Sequence, residues 1–393
     1  MIKSLLATSL PVALLAYIVF PLSIDFDSED LNGRVALVTG GSRGSGRGFV
    51  HGLLEARATV YVTGRTRESL EKTCETSKRP DLCKIRVLDN SNDQELEDLF
   101  LDIMEIEGRL DVLVNNAYSA LGYWRRRELL GKPFWETDVE LYDAVHDVGV
   151  RSHYRASVLA VRIMRNQARG GVIVNTNSPG CLLYSMNVPY GMGKCAIDKM
   201  SADMSVELDF DSSDVTVVSW WPKSPMRTEE IRTFSSSILF RKLTRYVYIL
   251  GTGTVDDGRS SRRGNLPGMG FLRFDQLYDT ALAGSLLMEG RALATFVRDR
   301  SRNSFSGLAV QSAQLASRYN LRDERQIRSP PLLSLKFLLF LFRPLHDLTK
   351  IESGGGVASA LQQFLFGTLP DISIPQFIPK LVQGTPLTIK WFL

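Results

Sequence analysis

The sequence predicts an α/β fold: one doubly wound parallel sheet in a single domain over residues 33–323, with an insertion at about 235–274 and a C-terminal extension. Three observations predict it. Short apolar runs rich in β-branched residues recur along the chain and alternate with helix-forming stretches, the pattern of parallel strands joined by right-handed crossovers. Those runs are apolar at nearly every position, as strands covered on both faces are. The first run is followed at once by a glycine-rich turn that leads into a helical segment.

Taken in order, the first strand is expected at Val35–Val38. Gly40, Gly44 and Gly46 follow at the spacing G-x-x-x-G-x-G, with Ser42 and Arg43 between them. Glycine allows a tight strand-to-helix turn and a close backbone approach to a pyrophosphate, whose charge suits a helix N-terminus. The loop therefore reads as a dinucleotide cradle, although its spacing is not G-x-G-x-x-G. Phe49–Ala56 continues as helix and Thr59–Thr63 as the second strand. A site for NAD carries an acid near the end of that strand for the ribose hydroxyls. This chain has Gly64 and Arg65 there, and Arg43 in the glycine loop. Two guanidinium groups suit a 2′-phosphate, so NADPH is expected over NAD.

Ile85–Leu88 reads as a third strand with Asp89 at its end, and Gln94–Glu107 as an amphipathic helix. Val112–Val114 is a fourth strand running into Asn115, Asn116, Ala117 and Tyr118. The segment His146–Tyr154 enters a long helix, Val172–Val174 is a fifth strand, and Val215–Trp221 is a sixth ending in Pro222. Gln276–Leu293 is expected to return to helix, and Ser306-Gly307 to open a seventh strand.

The chemistry is concentrated after the fifth strand. Ser178 is followed twelve positions later by Tyr190, and Lys194 comes four residues after that. Side chains at i and i+4 share a helix face, so the ammonium can sit beside the phenol. A neighbouring cation favours the phenolate and lowers the tyrosine pKa, which acid/base work near neutral pH needs. Ser178 would then hydrogen-bond a substrate oxygen, and Tyr190 would give it a proton.

The TGxxxGxG turn, the NNA run and Ser178, Tyr190 and Lys194, in this order, resemble the short-chain dehydrogenase/reductase family, a Rossmann-like fold. The resemblance covers roughly Gly33 to Asp323 outside the insertion. It implies hydride transfer between a nicotinamide cofactor and a small-molecule carbonyl, with steroids or xenobiotic ketones as plausible substrates. It also implies that Asp89 contacts the adenine, that Asn115 braces the central strand, that Ala117 packs by the cofactor and that Lys194 binds the nicotinamide ribose.

Three positions depart from the family pattern. Tyr118 replaces the glycine of NNAG, and Gly149 stands where an asparagine completes a catalytic tetrad and holds a relay water. After Pro222 the motif glycine is lost and Thr228 comes one residue late, which unsettles the carboxamide contacts.

The remaining features bear on location and partners. Ser4–Ile24 is uncharged, mostly apolar and about long enough to cross a bilayer. A membrane anchor at residues 1–24 is expected, in the endoplasmic reticulum, with a cleaved targeting segment for another organelle as the alternative. In the extension at 324–393, Leu332–Phe342 is strongly apolar but too short to span, and suits an interfacial or packed helix. The chain is 44% hydrophobic with a net charge of only +4, and no basic, aromatic-studded tract suggests a nucleic-acid partner. The four cysteines lack metal-site spacing; buried or free thiols are expected, with a Cys74–Cys83 pair as the alternative. A homodimer is compatible with the chain. Two other functions stand beside the reductase: a catalytically silent dinucleotide-binding membrane protein, a redox sensor or scaffold, and an NAD-linked alcohol dehydrogenase.

Overall fold

Seven parallel strands form one sheet in the order β3-β2-β1-β4-β5-β6-β7. The computed structural model describes residues 30–120, 122–123, 129, 132–181, 186–222 and 285–321. The tract 1–24, the insertion at 235–274, Lys223 to Thr228 and the extension at 324–393 lie outside the described residues. Among the described residues no helix is long and apolar enough to cross a membrane.

The strands are β1 (Val35–Val38), β2 (Thr59–Gly64), β3 (Cys83–Val87), β4 (Val112–Asn115), β5 (Gly171–Thr176), β6 (Val215–Trp221) and β7 (Ala309–Gln311). Their side chains alternate between two cores. Ala36, Val38, Val60, Val62, Val112, Val114, Val172, Val174 and Trp220 face helices α1 (Gly44–Glu55) and α7 (Leu286–Arg298). Leu37, Tyr61, Leu113, Ile173 and Val217 face α3 (Asp93–Glu107) and α5 (Ser152–Met164). Two-sided burial is why these runs are apolar throughout. The strand order reverses between β1 and β4, so the loops leaving those two strands open a crevice at the carboxyl end of the sheet, where doubly wound folds bind ligands.

Several elements differ from expectation. Helix α1 begins at Gly44 rather than Phe49, because its glycines are packing positions: a Cβ on Gly52 would lie 2.0 Å from the Gly290 carbonyl carbon of α7. Glu55 clamps the same helix pair through Arg291, at 2.9 and 3.0 Å. Within the stretch read as helix from Gln276, the described helix starts at Leu286, capped by Ser285 Oγ accepting from the Met288 amide. The last strand is Ala309–Gln311, placed by main-chain bonds to the end of β6 rather than by its own sequence. Cys74, on α2 (Arg67–Glu75), and Cys83 form a disulfide, in place of the expected free thiols.

Candidate active site

Helix α6 (Val188–Phe210) carries two of the candidate catalytic residues, Tyr190 and Lys194, and its first turn is set by local sequence. Asn187 is the N-cap: its Oδ1 accepts from the Tyr190 amide at 2.9 Å, and Pro189 fits the first turn, where no amide bond is lost. Tyr190 is thereby fixed at the start of the helix. Its hydroxyl lies 2.7 Å from Ser178 Oγ, on the loop after β5. The backbone of that loop comes so near that a Cβ on Gly180 would sit 2.6 Å from the Tyr190 ring. One turn on, Lys194 Nζ lies 5.4 Å from the Tyr190 ring centroid. The three predicted catalytic residues, Ser178, Tyr190 and Lys194, are thus brought together.

Burial governs their protonation. It holds the Lys194 ammonium at about 8, below the ordinary lysine value, opposed by the Asp198 carboxylate one turn further along α6. Asp198 was not anticipated from the sequence. It accepts from Asn177 Nδ2 at 2.7 Å, Trp221 Nε1 at 3.1 Å, the Cys181 thiol at 2.7 Å and the Ser219 hydroxyl. Burial also raises the Tyr190 phenol above its ordinary value, opposed by the bond with Ser178. Contrary to the expectation, desolvation and not the neighbouring Lys194 sets the direction of this shift.

The glycine loop is joined to this pocket through the residues after β4. Gly40 has φ +65°, and a Cβ there would lie 2.7 Å from Ala117 Cα. A Cβ on Gly46 would lie 2.3 Å from the Gly40 carbonyl oxygen. Asn116 Nδ2 donates to the carbonyls of Thr39 and Gly40, and the Ala117 amide to Thr39 Oγ1. Asn115 is fully buried, its amide donating to Asn175 Oδ1, Ser157 Oγ and the His153 carbonyl. It braces the sheet rather than facing the crevice. Arg43 caps α1 without a side-chain cap bond, and the first turn holds no acid, so the helix N-terminus suits an anion. At the end of β2, Ser42 packs near Gly64, and exposed Arg65 lies 3.9 Å from Asp89. Burial would raise Asp89, but the Ser91 amide and hydroxyl together with Arg65 hold it below the ordinary carboxylate value. Pro222 follows β6 at the same end of the sheet.

The sequence model described as short chain dehydrogenase matches residues 34–232. The chain is also similar to dehydrogenase/reductase SDR family member 1 of Homo sapiens, at 36% identity over 85% of this chain and 94% of that protein. The Mus musculus protein of that name is 34% identical over 75% and 84% of the respective chains. The chain belongs to the short-chain dehydrogenase family. A solved structure of the Pseudomonas aeruginosa RhlG/NADP active-site complex shares the fold at a TM-score of 0.54 and 21% identity, over 72% of this chain and 95% of that one.

Within this family fold, the two departures at Tyr118 and Gly149 meet each other. Gly149 lies in a π turn, Asp147–Arg151, between α4 (Glu140–His146) and α5. A Cβ on it would come within 2.9 Å of the Tyr118 ring. That ring also packs edge-on to Tyr190, with centroids 6.4 Å apart. His153, buried on α5, contacts the Ala117 carbonyl through Nε2 at 3.0 Å. Burial depresses its pKa to about 3, so it is neutral and Nε2–H donates. Neither contact was legible from spacing, because each joins segments about 30 or more residues apart.

Proposed function

We propose that this short-chain dehydrogenase is an NADPH-dependent reductase of ketone or aldehyde carbonyls, with a steroid-like or xenobiotic-like small molecule as substrate. The observation that carries the reading is the 2.7 Å contact between Ser178 Oγ and Tyr190 Oη, with Lys194 beside the same phenol. The N-terminus of α1, with no acid in its first turn, and the approach of Gly40 to Ala117 fit a dinucleotide's phosphates between the two loops. A bound nicotinamide supplies the hydride. Ser178 holds the carbonyl oxygen by a hydrogen bond, and Tyr190 Oη gives that oxygen its proton. Lys194 keeps positive charge beside the phenolate that remains and binds the nicotinamide ribose. Arg43 and Arg65 favour the 2′-phosphate, since no acid follows β2 to hold a free ribose diol. The NADP of the RhlG complex supports the same cofactor class at the level of the fold.

Tyr190→Phe is expected to lower kcat roughly 10²- to 10⁴-fold, the range for loss of a general acid. Binding of NADPH, read by its fluorescence, stays intact; retained turnover overturns the assignment. Activity should fall as pH rises through about 8, because the Lys194 charge is lost there. In parallel titrations NADPH should bind more tightly than NADH, and the reverse order would favour an NAD-linked alcohol dehydrogenase.

The same proposal puts the enzyme on a membrane of the endoplasmic reticulum through Ser4–Ile24. Deleting residues 1–24 should release it from microsomal membranes. Retention would make the apolar stretch Leu332–Phe342 the stronger attachment.

A further inference from the structure

We propose that Tyr118 is a positioning residue for the proton-transfer pair: its ring, seated on Gly149, holds the Lys194 ammonium beside the Tyr190 phenol. The inference rests on the reading of Tyr190 and Lys194 as that pair.

Three contacts define the arrangement. Lys194 Nζ lies 5.1 Å from the Tyr118 ring centroid and 5.4 Å from that of Tyr190, so the ammonium sits between two aromatic rings. The rings pack edge-to-face at 83°. The Tyr118 ring also fills the volume a side chain at 149 would need, with Cδ2 and Cε2 at 2.9 and 3.0 Å from a Cβ built there. A ring at 118 and a side chain at 149 therefore exclude each other. The glycine in the π turn is the complement of the tyrosine after β4, and together they replace a polar group on that flank with an aromatic face.

An aromatic face is a suitable neighbour for this ammonium. Burial disfavours its charge, and a ring quadrupole offsets part of that cost without a counter-anion. Among the described residues, the other titratable groups acting on Lys194 are Asp198 on its own helix, the Cys181 thiol after β5 and neutral His153 on α5. Asp198 is held by four donors and cannot swing to the phenol. The Tyr118 ring supplies the opposing wall.

The test is the titration of Lys194 in the full-length protein, read by the pH dependence of its acylation in mass spectrometry. It is run on Tyr118→Leu, Tyr118→Phe, Gly149→Ala and the Leu/Ala double variant. Removing the ring face is expected to move the Lys194 midpoint down by about one pH unit. Tyr118→Phe restores the wild-type midpoint. Gly149→Ala favours helix, so the fold survives, yet its Cβ pushes the ring aside and reproduces the downward shift. In the Leu background the alanine adds nothing, which is the non-additivity expected of a shared contact. Turnover should follow: with the midpoint moved from about 8 to about 7, kcat falls about fivefold at pH 8 and only about twofold at pH 7. An unchanged midpoint in Gly149→Ala, or full additivity in the double variant, overturns the proposal. The labelling needs no turnover. A wild-type protein that reduces no carbonyl but shows these shifts would defeat the reductase reading and leave the seating of Lys194 by the Tyr118 ring standing.

Discussion

The glycine loop and the tyrosine pocket lie on one crevice but are built by opposite rules. In the loop, backbone meets backbone: Gly46 against the Gly40 carbonyl, and Gly40 against Ala117. In the pocket, side chains make the contacts: the Tyr118 ring over Gly149, Lys194 between two rings, and Asp198 among four donors. A backbone contact cannot yield, so the loop admits one residue type at each place. A side-chain contact leaves room for another pairing, since the Tyr118 ring takes the volume that a side chain at 149 would need. The first region keeps its motif; the second keeps its shape and changes its letters.

The largest effect on stability should come from breaking the loop. Gly46→Val puts a Cβ 2.3 Å from a main-chain oxygen and 2.5 Å from Asn116 Nδ2. Overpacking of this kind typically costs about 1–3 kcal/mol, and a rigid backbone partner puts this site at the upper end or beyond. Chemical denaturation should show that loss together with loss of NADPH binding. Wild-type stability with intact cofactor binding would mean the loop is softer than its contacts imply.

The next effect tests the buried side of the pocket. His153 is neutral because its charged form is desolvated, and its Nδ1 has no partner among the described residues to accept from an added proton. Its pKa is about 6.5 unfolded and about 3 folded, so the unfolded chain binds the extra proton between those values. Stability is therefore full above pH 6.5 and declines as pH falls towards 3. The loss is on the order of 2 kcal/mol between pH 6.5 and 4.5, at about 1.36 kcal/mol per unit. In His153→Gln that acid-side slope should flatten. An unchanged slope would assign the acid sensitivity elsewhere.

What was legible in the sequence follows the same division. Features fixed by neighbours in the chain were read directly: the glycine turn, β1 and β6, and Tyr190 and Lys194 on one helix face. The placement of Asn115 and the start of α1 were only half legible, since a motif names a residue without saying which way its amide points. Contacts across the sheet carried no signal. Asp198 draws its partners from the loop after β5 and from β6, and His153 reaches back to Ala117. The Cys74–Cys83 bond, between residues nine apart, stood in the sequence only as the alternative to free thiols. Departures from a motif were visible at 118 and 149, but only the fold shows that the two are one substitution.

A smaller effect sharpens how the pocket is aimed. Asn187→Ala removes the cap bond to the Tyr190 amide, worth about 1 kcal/mol in comparable helices. The expected result is a modest drop in thermal stability with a larger drop in kcat, because the residue freed to fray is the proposed proton donor. Asn187→Ser or Asn187→Asp should recover both. Equal losses in kcat and in stability would reduce the cap to a helix-stabilising device.

The smallest effect on the fold falls where the cofactor preference is expected. Arg65 is largely exposed, and its carboxylate neighbour Asp89 is 3.9 Å away and also accessible to solvent. Surface pairs of this kind contribute roughly 0–1 kcal/mol, so Arg65→Ala should leave unfolding almost unchanged. Its effect on binding is expected to be selective. A charge-assisted bond to a phosphate is worth about 1.5–3 kcal/mol, so NADPH affinity should fall about tenfold or more while NADH affinity holds. Equal weakening of both cofactors would mean that Arg65 acts through Asp89 and the adenine side. No weakening of either would shift the discrimination to Arg43, which stands at the N-cap of α1, within the glycine loop itself.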